Sequence, residues 1–573
     1  MNHLFLITAR SWIIAIALIS VEAVPLTVRS QSMAAPPRLL GEVIGYGVLI
    51  LPDQTVAHFY AQGEVGKQVL MRIQSRDGGQ TWSDSERLFD LPAESQWAGR
   101  AGQSMVDREG NLHLFLLNLT PGRKATWHTM QPAKQRSWTQ LKEIYPHGAL
   151  NPPIQLRSGR IVVSVAYFTR DPAWDNPSPR AEIITCYSDD SGKSWHRSLS
   201  TLVVFSPEKF PGVGSGGHEP VLVELPDGRV WMLIRTQTGW LYESFSPDGS
   251  KWSEPRATSF YSSDSPGALA RLPSGEIVLF WNSCEIPSPV DGRWIYTGRD
   301  ALHGAISRDG GKTWQGYREV YLDPFRDENP PAHGDRGTSY SNAVVTANGK
   351  VLLVAGQGKG RTRLFQIDPA WLYATHHADD FSRGLDGWSV FKAYGPVKGY
   401  RRNRVRGAER IPHPTRAGAW VLHVRRPDDR SGDGAAWNFP AGRNGRVTLR
   451  MLLKKGFGGG LINFTDRFIY PNDADLSKLV FSLPVSADGA IGNARLEYDR
   501  WYTVDFAWHV ESRPPQGGWP GECRVNVDGQ GVAVLPQLNR AKTGLSYLRL
   551  HSTAPVTDTA GLMIEQVSAD VAP

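Results

Sequence analysis

Cysteine is scarce in this chain. Three in 573 residues (Cys186, Cys284 and Cys523) are too few for a disulfide scaffold, and their spacing makes no zinc site. No stretch reaches 18 apolar residues, so no ordinary membrane-spanning helix is encoded. A glycine-rich phosphate loop is missing, so no nucleotide cofactor is implied. Charge of one sign is not concentrated either. Lys and Arg total 63 against 56 Asp and Glu, a net charge of +7. That excess allows attraction to an acidic substrate but does not imply nucleic-acid binding. What is abundant points to sheet. The chain holds 58 Gly, 40 Pro and 20 Trp, and so many turn formers and aromatics favour a β-rich protein over a helix bundle. With 40% hydrophobic and 21% charged residues it is a folded globular protein. At roughly 100–200 residues per domain, two or three domains are expected.

The N-terminus reads as an address. Arg10 precedes an apolar run from Trp12 to Ile19, and Val21-Glu22-Ala23 offers small residues for cleavage. This is the layout of a secretory signal peptide over residues 1–23. An uncleaved N-terminal anchor is the other reading. No cysteine lies near the cut, which argues against a lipoprotein anchor. A secreted or periplasmic mature chain without a membrane span is therefore expected.

Internal repeats set the architecture. Ser75-Arg-Asp77-Gly-Gly79-Gln-Thr81-Trp82 recurs as Ser188-Asp-Asp190-Ser-Gly192-Lys-Ser194-Trp195 and as Ser307-Arg-Asp309-Gly-Gly311-Lys-Thr313-Trp314. A shortened copy is Ser246-Pro-Asp248-Gly-Ser-Lys-Trp252. The starts at 75, 188, 246 and 307 are separated by 113, 58 and 61 residues, so the first interval spans two units. A degenerate copy at Gln131–Trp138 fills it, and a unit after Tyr340 completes six. In each copy Asp accepts turn N–H groups, Gly supplies positive φ and Trp packs between sheets. Each unit also carries a strand and a turn, such as Val221–Leu225 followed by Pro-Asp-Gly. Units of about 55 residues with four short strands predict a six-bladed β-propeller over 40–375, with the repeated aspartates structural.

Beyond it the pattern changes. Alternating runs at Val447–Leu453, Lys478–Leu483, Trp501–Trp508, Cys523–Val527 and Leu545–Leu550 predict a second all-β domain over 380–573. It looks like a jelly-roll sandwich of the lectin or laminin-G type, either carbohydrate-binding or an inert packing partner. Arg401–Arg416 holds six arginines and reads as a solvated loop or as a contact for an anionic polysaccharide.

Over about residues 40–373 the repeats resemble the Asp boxes (bacterial neuraminidase repeats) of the sialidase superfamily. The resemblance implies site residues. Tyr340, in Gly337-Thr-Ser-Tyr340-Ser341-Asn342, matches the family's nucleophilic tyrosine before an inner strand. Glu219, in Gly216-Gly217-His218-Glu219-Pro220, matches its base, with His218 lining the site or capping the strand. Arg235 and Arg299 match the arginine cluster that grips the sugar carboxylate, for which a planar guanidinium fork is suited. Counting back 11 from Ser75 puts Glu64 in the place of the acid/base aspartate, or makes it a hairpin-tip acid. Arg100 is a further channel-facing cation. Two departures stand out. Ile44 occupies the place of the first arginine, within a first-blade strand read as Val43–Leu49. Gln357 replaces the glutamate that braces it.

The resemblance implies a retaining exo-α-sialidase-like glycosidase that acts on a glycan with an acidic sugar. It would need no cofactor, metal or nucleic-acid partner. Two alternatives stay open: a lyase or hydrolase for uronic-acid glycans on the same propeller, favoured by Ile44, and a non-catalytic carbohydrate-binding protein.

Overall fold

The computed structural model describes residues 34–573 except 44, 46, 99–102, 123, 147–150, 169–180, 205–215, 286–297, 330–336, 359, 399–400, 474, 513–519 and 573. The expected signal peptide, Ile44 and Arg100 lie outside the described residues. The architecture is all-β, with six four-stranded antiparallel sheets followed by larger sheets toward the C-terminus. Five blades are built from consecutive strands. The sixth takes Asn342–Val345, Val351–Ala355 and Arg363–Ile367, and receives its outermost strand from the other end of the chain, Arg38–Glu42. That strand ties the ring shut. Of the expected strand Val43–Leu49, the described residues 43, 45, 47 and 48 lie outside any strand. The first blade opens only at Leu49–Ile50, because the preceding segment has already been used to close the sixth.

The boxes do their structural work locally. Asp309 accepts from the backbone N–H of Lys312 and Thr313 and from the Thr313 hydroxyl, while Ser307 Oγ caps Gly311 N at 2.8 Å. Ser75 to Thr81 repeats this pattern. The tryptophan that follows each turn is packed between its own blade and the one before. Trp314 meets Phe260 and Trp231 of blade four, Trp195 meets Phe115 of blade two, and Trp82 packs on Leu352 and Leu364 of blade six. Trp138, in the degenerate copy, fills the same place between blades one and two. Burying one such ring contributes about 2–3 kcal/mol, so the repeat is a spacing device that glues neighbouring sheets.

Two ends of the ring follow from the strand order. In every blade the boxes and the first-to-second turns lie at one end. The second-to-third hairpins and the connections between blades lie at the other. A cavity of about 1070 Å³ opens at the box end, lined by residues such as Leu51, Asp107, Arg271 and Thr346. It contains none of the predicted site residues.

The C-terminal sheets form a β-sandwich. One sheet has eight strands, including His376–Asp379 and Asp558–Val571, and the other has seven. Trp501–His509 alternates buried and half-buried positions, the period-two pattern of a strand with one face in a core. That core contains Trp437, Phe439, Phe464, Phe481, Phe506 and Trp508. The predicted strand at Lys478 begins later, since Leu476–Lys478 is a 3-10 turn and the strand runs Phe481–Val485.

The arginine-rich segment is not a loop. It forms the strands Arg401–Arg406 and Glu409–Pro412. Arg404 is buried and holds Asp300 of the fifth blade with both guanidinium ends, at 2.5 and 3.0 Å. A bidentate buried pair accounts for that arginine, so it is neither solvated nor offered to a polysaccharide. Other contacts join sandwich and propeller. Tyr547 donates to Glu319 at 2.5 Å, and Lys542 sits 3.5 Å over the Trp240 ring.

Candidate active site

Topology brings distant residues to the end of the ring opposite the boxes. Glu219 is the second residue of the first strand of blade four, His218–Glu224, and Arg235 closes the second, Val230–Arg235. Arg299 stands just before the third strand of blade five, Ala301–Ser307, and Tyr340 just before the first strand of blade six. Gln357 follows the second strand of that blade.

Local backbone shape aims two of these side chains. The pairing register slips between His218 and Val221, a bulge that contains Glu219, and Glu219 has φ 47°. Tyr340 has φ 59°. Left-handed backbone at a bulky residue costs of order 1–3 kcal/mol and persists only where the surroundings hold it. A bulge re-aims its side chain. Neither residue carries a sequence signal for this conformation.

The side chains meet on Arg235. Its Nη1 donates to Glu219 Oε2 at 2.5 Å and to the Tyr340 hydroxyl at 3.3 Å. Its Nε donates to Asp264 Oδ1 at 2.7 Å. Its Nη2 has no hydrogen-bond partner among the described residues. The phenol and the carboxylate expected to work together therefore share one nitrogen. Arg299 lies 5.5 Å from the Tyr340 ring centroid and donates to Gln357 Oε1 at 2.7 Å and to the backbone carbonyl of Asp264. Glu219, Arg235, Asp264 and Arg299 are all buried, while Tyr340 is half-buried.

Electrostatics follow from this packing. Burial works against the charge on Arg235, but Asp264 and Glu219 on two sides outweigh it and hold the guanidinium well above its ordinary pKa. Burial likewise opposes the Asp264 carboxylate, yet Arg235 wins and brings it down to about 2. Burial, with Glu219 close by, pushes the Tyr340 phenol up. Burial and the adjacent Arg235 lower His218 to about 4. At neutral pH the site thus contains a neutral phenol and a neutral imidazole beside the charged pair of Arg235 and Asp264.

Of the residues predicted from sequence, Tyr340, Glu219, Arg235, Arg299 and His218 come together. Gln357, expected in place of the glutamate that braces the first arginine, accepts from Arg299 instead. Glu64 is exposed at the tip between Val56–Gln62 and Val69–Ser75, at the same end of the ring. Its side chain makes no hydrogen bond or ion pair among the described residues. Asp264 was missed. It lies in Ser262-Ser263-Asp264-Ser265, between the last strand of blade four and the first of blade five. The available signal was an acid in a blade connection that the topology delivers to the same end. Among the described residues no cluster of His, Cys, Asp or Glu is placed to hold a metal ion. The described residues also contain no helix long and apolar enough to cross a membrane.

The model of a BNR repeat-like domain matches residues 54–353. The chain belongs to the BNR repeat-like family. With its Asp boxes it is a BNR repeat-like propeller. Among solved structures it is similar to Trypanosoma rangeli sialidase in complex with 2,3-difluorosialic acid, at 13% identity over 94% of this chain and 91% of that one, with a TM-score of 0.38. It is also similar to the intramolecular trans-sialidase of Ruminococcus gnavus (13% identity, 60% of this chain and 96% of that one, TM-score 0.36). A third similar structure is a Dyadobacter fermentans protein of unknown function (16% identity, 58% and 96%, TM-score 0.41). No match was found among curated proteins.

Proposed function

We propose that this BNR propeller is a secreted, retaining exo-glycosidase of sialidase type that releases a terminal acidic sugar from glycans. The observation that carries the reading is the sharing of Arg235 Nη1 by the Tyr340 hydroxyl and the Glu219 carboxylate. A phenol near its reference pKa of about 10 is a poor nucleophile and needs a base beside it. It has a compensating advantage. Being uncharged, it approaches an anomeric carbon that bears a carboxylate without like-charge repulsion.

In the first step the Tyr340 oxygen bonds to the anomeric carbon as the glycosidic C–O bond breaks. The phenol proton passes to Glu219, whose Oε1 takes no hydrogen bond among the described residues. Glu64, on the adjoining blade at the same end, protonates the leaving oxygen. Water then cleaves the glycosyl-tyrosine, with Glu64 as base, and Tyr340 recovers its proton from Glu219. This departs from the usual scheme of two carboxylates. Arg235, with Nη2 still to be used, and Arg299 receive the sugar's acidic group.

The absence of the first arginine favours a second reading, a lyase for uronic-acid glycans, in which Tyr340 or His218 removes the proton beside a carboxylate. Incubation of the protein with sialylated and uronate-containing glycans, read by mass spectrometry and ultraviolet absorbance, separates the two. Free acidic sugar supports hydrolysis, and an unsaturated, absorbing product supports elimination. Tyr340→Phe should abolish sugar release while the fold is kept. Unchanged turnover in that variant refutes the mechanism.

A further inference from the structure

The dipeptide Arg299-Asp300 faces two ways. On one side the Arg299 guanidinium reaches Gln357 and the Asp264 carbonyl within the site. On the other, both oxygens of Asp300 are held by Arg404 of the sandwich. The backbone between them is a junction. Thr338 N–H donates to the Arg299 carbonyl at 2.8 Å, and the Thr338 hydroxyl donates to the same oxygen at 3.1 Å. Gly337 lies so close that a Cβ there would stand 2.3 Å from that carbonyl, at φ +114°. Tyr340 follows Gly337 by three residues. The position of Asp300 therefore sets both an arginine and the segment that delivers the phenol.

Arg404 is itself immobilised. Its guanidinium donates to the Tyr470 hydroxyl at 2.6 Å and to the Arg326 carbonyl at 3.1 Å, and lies 4.1 Å from the Phe391 ring centroid. Its backbone N–H donates to Asn329 Oδ1 at 2.8 Å. A buried guanidinium with this many fixed partners is a rigid post. Removing it takes two hydrogen bonds from the buried Asp300 carboxylate, which then shifts its position.

We propose that Arg404 is a positioning residue for the candidate active site, through which the sandwich domain holds Arg299 and the Tyr340 segment in register. This rests on the sialidase-type reading for its catalytic consequence, but not for its structural one. It gives the sandwich a role other than sugar binding or inert packing.

The test uses the full chain with Arg404→Met, Arg404→Lys and, as a control at another point of the interface, Lys542→Met. Amide hydrogen exchange is followed at residues 298–303 and 337–342. Arg404→Met should speed exchange there by about tenfold or more. Arg404→Lys, which keeps the charge but loses the fork, should fall in between. Lys542→Met should leave both segments as in the wild type. With a fluorogenic aryl α-sialoside, kcat/KM should fall by about 100-fold in Arg404→Met, the order expected for a misplacement near 1 Å, with partial recovery in Arg404→Lys. If Arg404→Met does not fold, Arg404→Lys decides. Unchanged exchange at both segments, or an increase no larger than that in Lys542→Met, overturns the proposal. A wild type that leaves the sialoside intact would count against the sialidase reading alone, and the exchange results would still decide the role of Arg404.

Discussion

Asp264 is the residue on which the charge balance of the site turns, and Asp264→Asn probes it. Fully buried, it takes 2.7 Å and 3.1 Å hydrogen bonds from Arg235 and Gln237 on its two carboxylate oxygens. Its pKa of about 2, against 3.8 for an unperturbed carboxyl, is a depression. At about 1.4 kcal/mol per pKa unit, the charged form contributes about 2–3 kcal/mol to stability. The sign follows from proton counting. Between pH 3.8 and 2 the unfolded chain binds the proton and the folded chain does not. The contribution is therefore complete above pH 3.8 and is lost as pH falls through 2. Asn also turns one acceptor into an amide donor beside Arg235, and breaking a buried pair from one side costs about 3–5 kcal/mol in total. Urea unfolding followed by tryptophan fluorescence should show a deficit of that size at pH 7, smaller by about 2 kcal/mol near pH 2. A deficit under about 1 kcal/mol at pH 7, or one that does not change with pH, would refute the assignment of Asp264 as the anchor of Arg235.

Two further outcomes are expected. Gln357→Glu should exchange a neutral acceptor for a charged one beneath Arg299, adding about 1 kcal/mol of stability in the same urea assay while raising KM for an acidic sugar several-fold, because the added negative charge opposes the ligand carboxylate. Glu319, where propeller meets sandwich, is raised to about 7 by burial, against the opposing hydrogen bond from Tyr547. Since its folded pKa lies above the unfolded 4.5, stability should decline as pH rises from 4.5 to about 7, by up to about 3 kcal/mol, and Glu319→Gln should flatten that decline when unfolding is measured across the range.

What was legible in the sequence was what is encoded locally. An Asp box is a self-contained turn of eight residues, so its spacing alone carried the blades, including the degenerate copy ending at Trp138. Trp501–Trp508 announced a strand because alternation needs no partner to be visible. Tyr340, Glu219, Arg235 and Arg299 could be singled out because each sits in a recognisable context beside a strand. The misses share one physical cause. The closing strand Arg38–Glu42 pairs with Arg363–Ile367 across most of the propeller, and nothing near residue 38 signals that partner. Asp264 stands in a serine-rich connection without periodicity, and its importance comes only from the arginine opposite it. Arg404 looked solvated because a run of arginines usually is, and only Asp300, 104 positions away in sequence, makes it a buried post.

In the proposed mechanism the Tyr340 oxygen forms the bond to the sugar. Incubation of the protein with 2,3-difluorosialic acid probes that bond, because the fluorine beside the anomeric carbon slows the oxocarbenium-like steps and lets a covalent intermediate persist. Peptide mass spectrometry should find one fluorosialyl group on Tyr340, and none in Tyr340→Phe. An unlabelled protein, or a label on any other side chain, would contradict the claim.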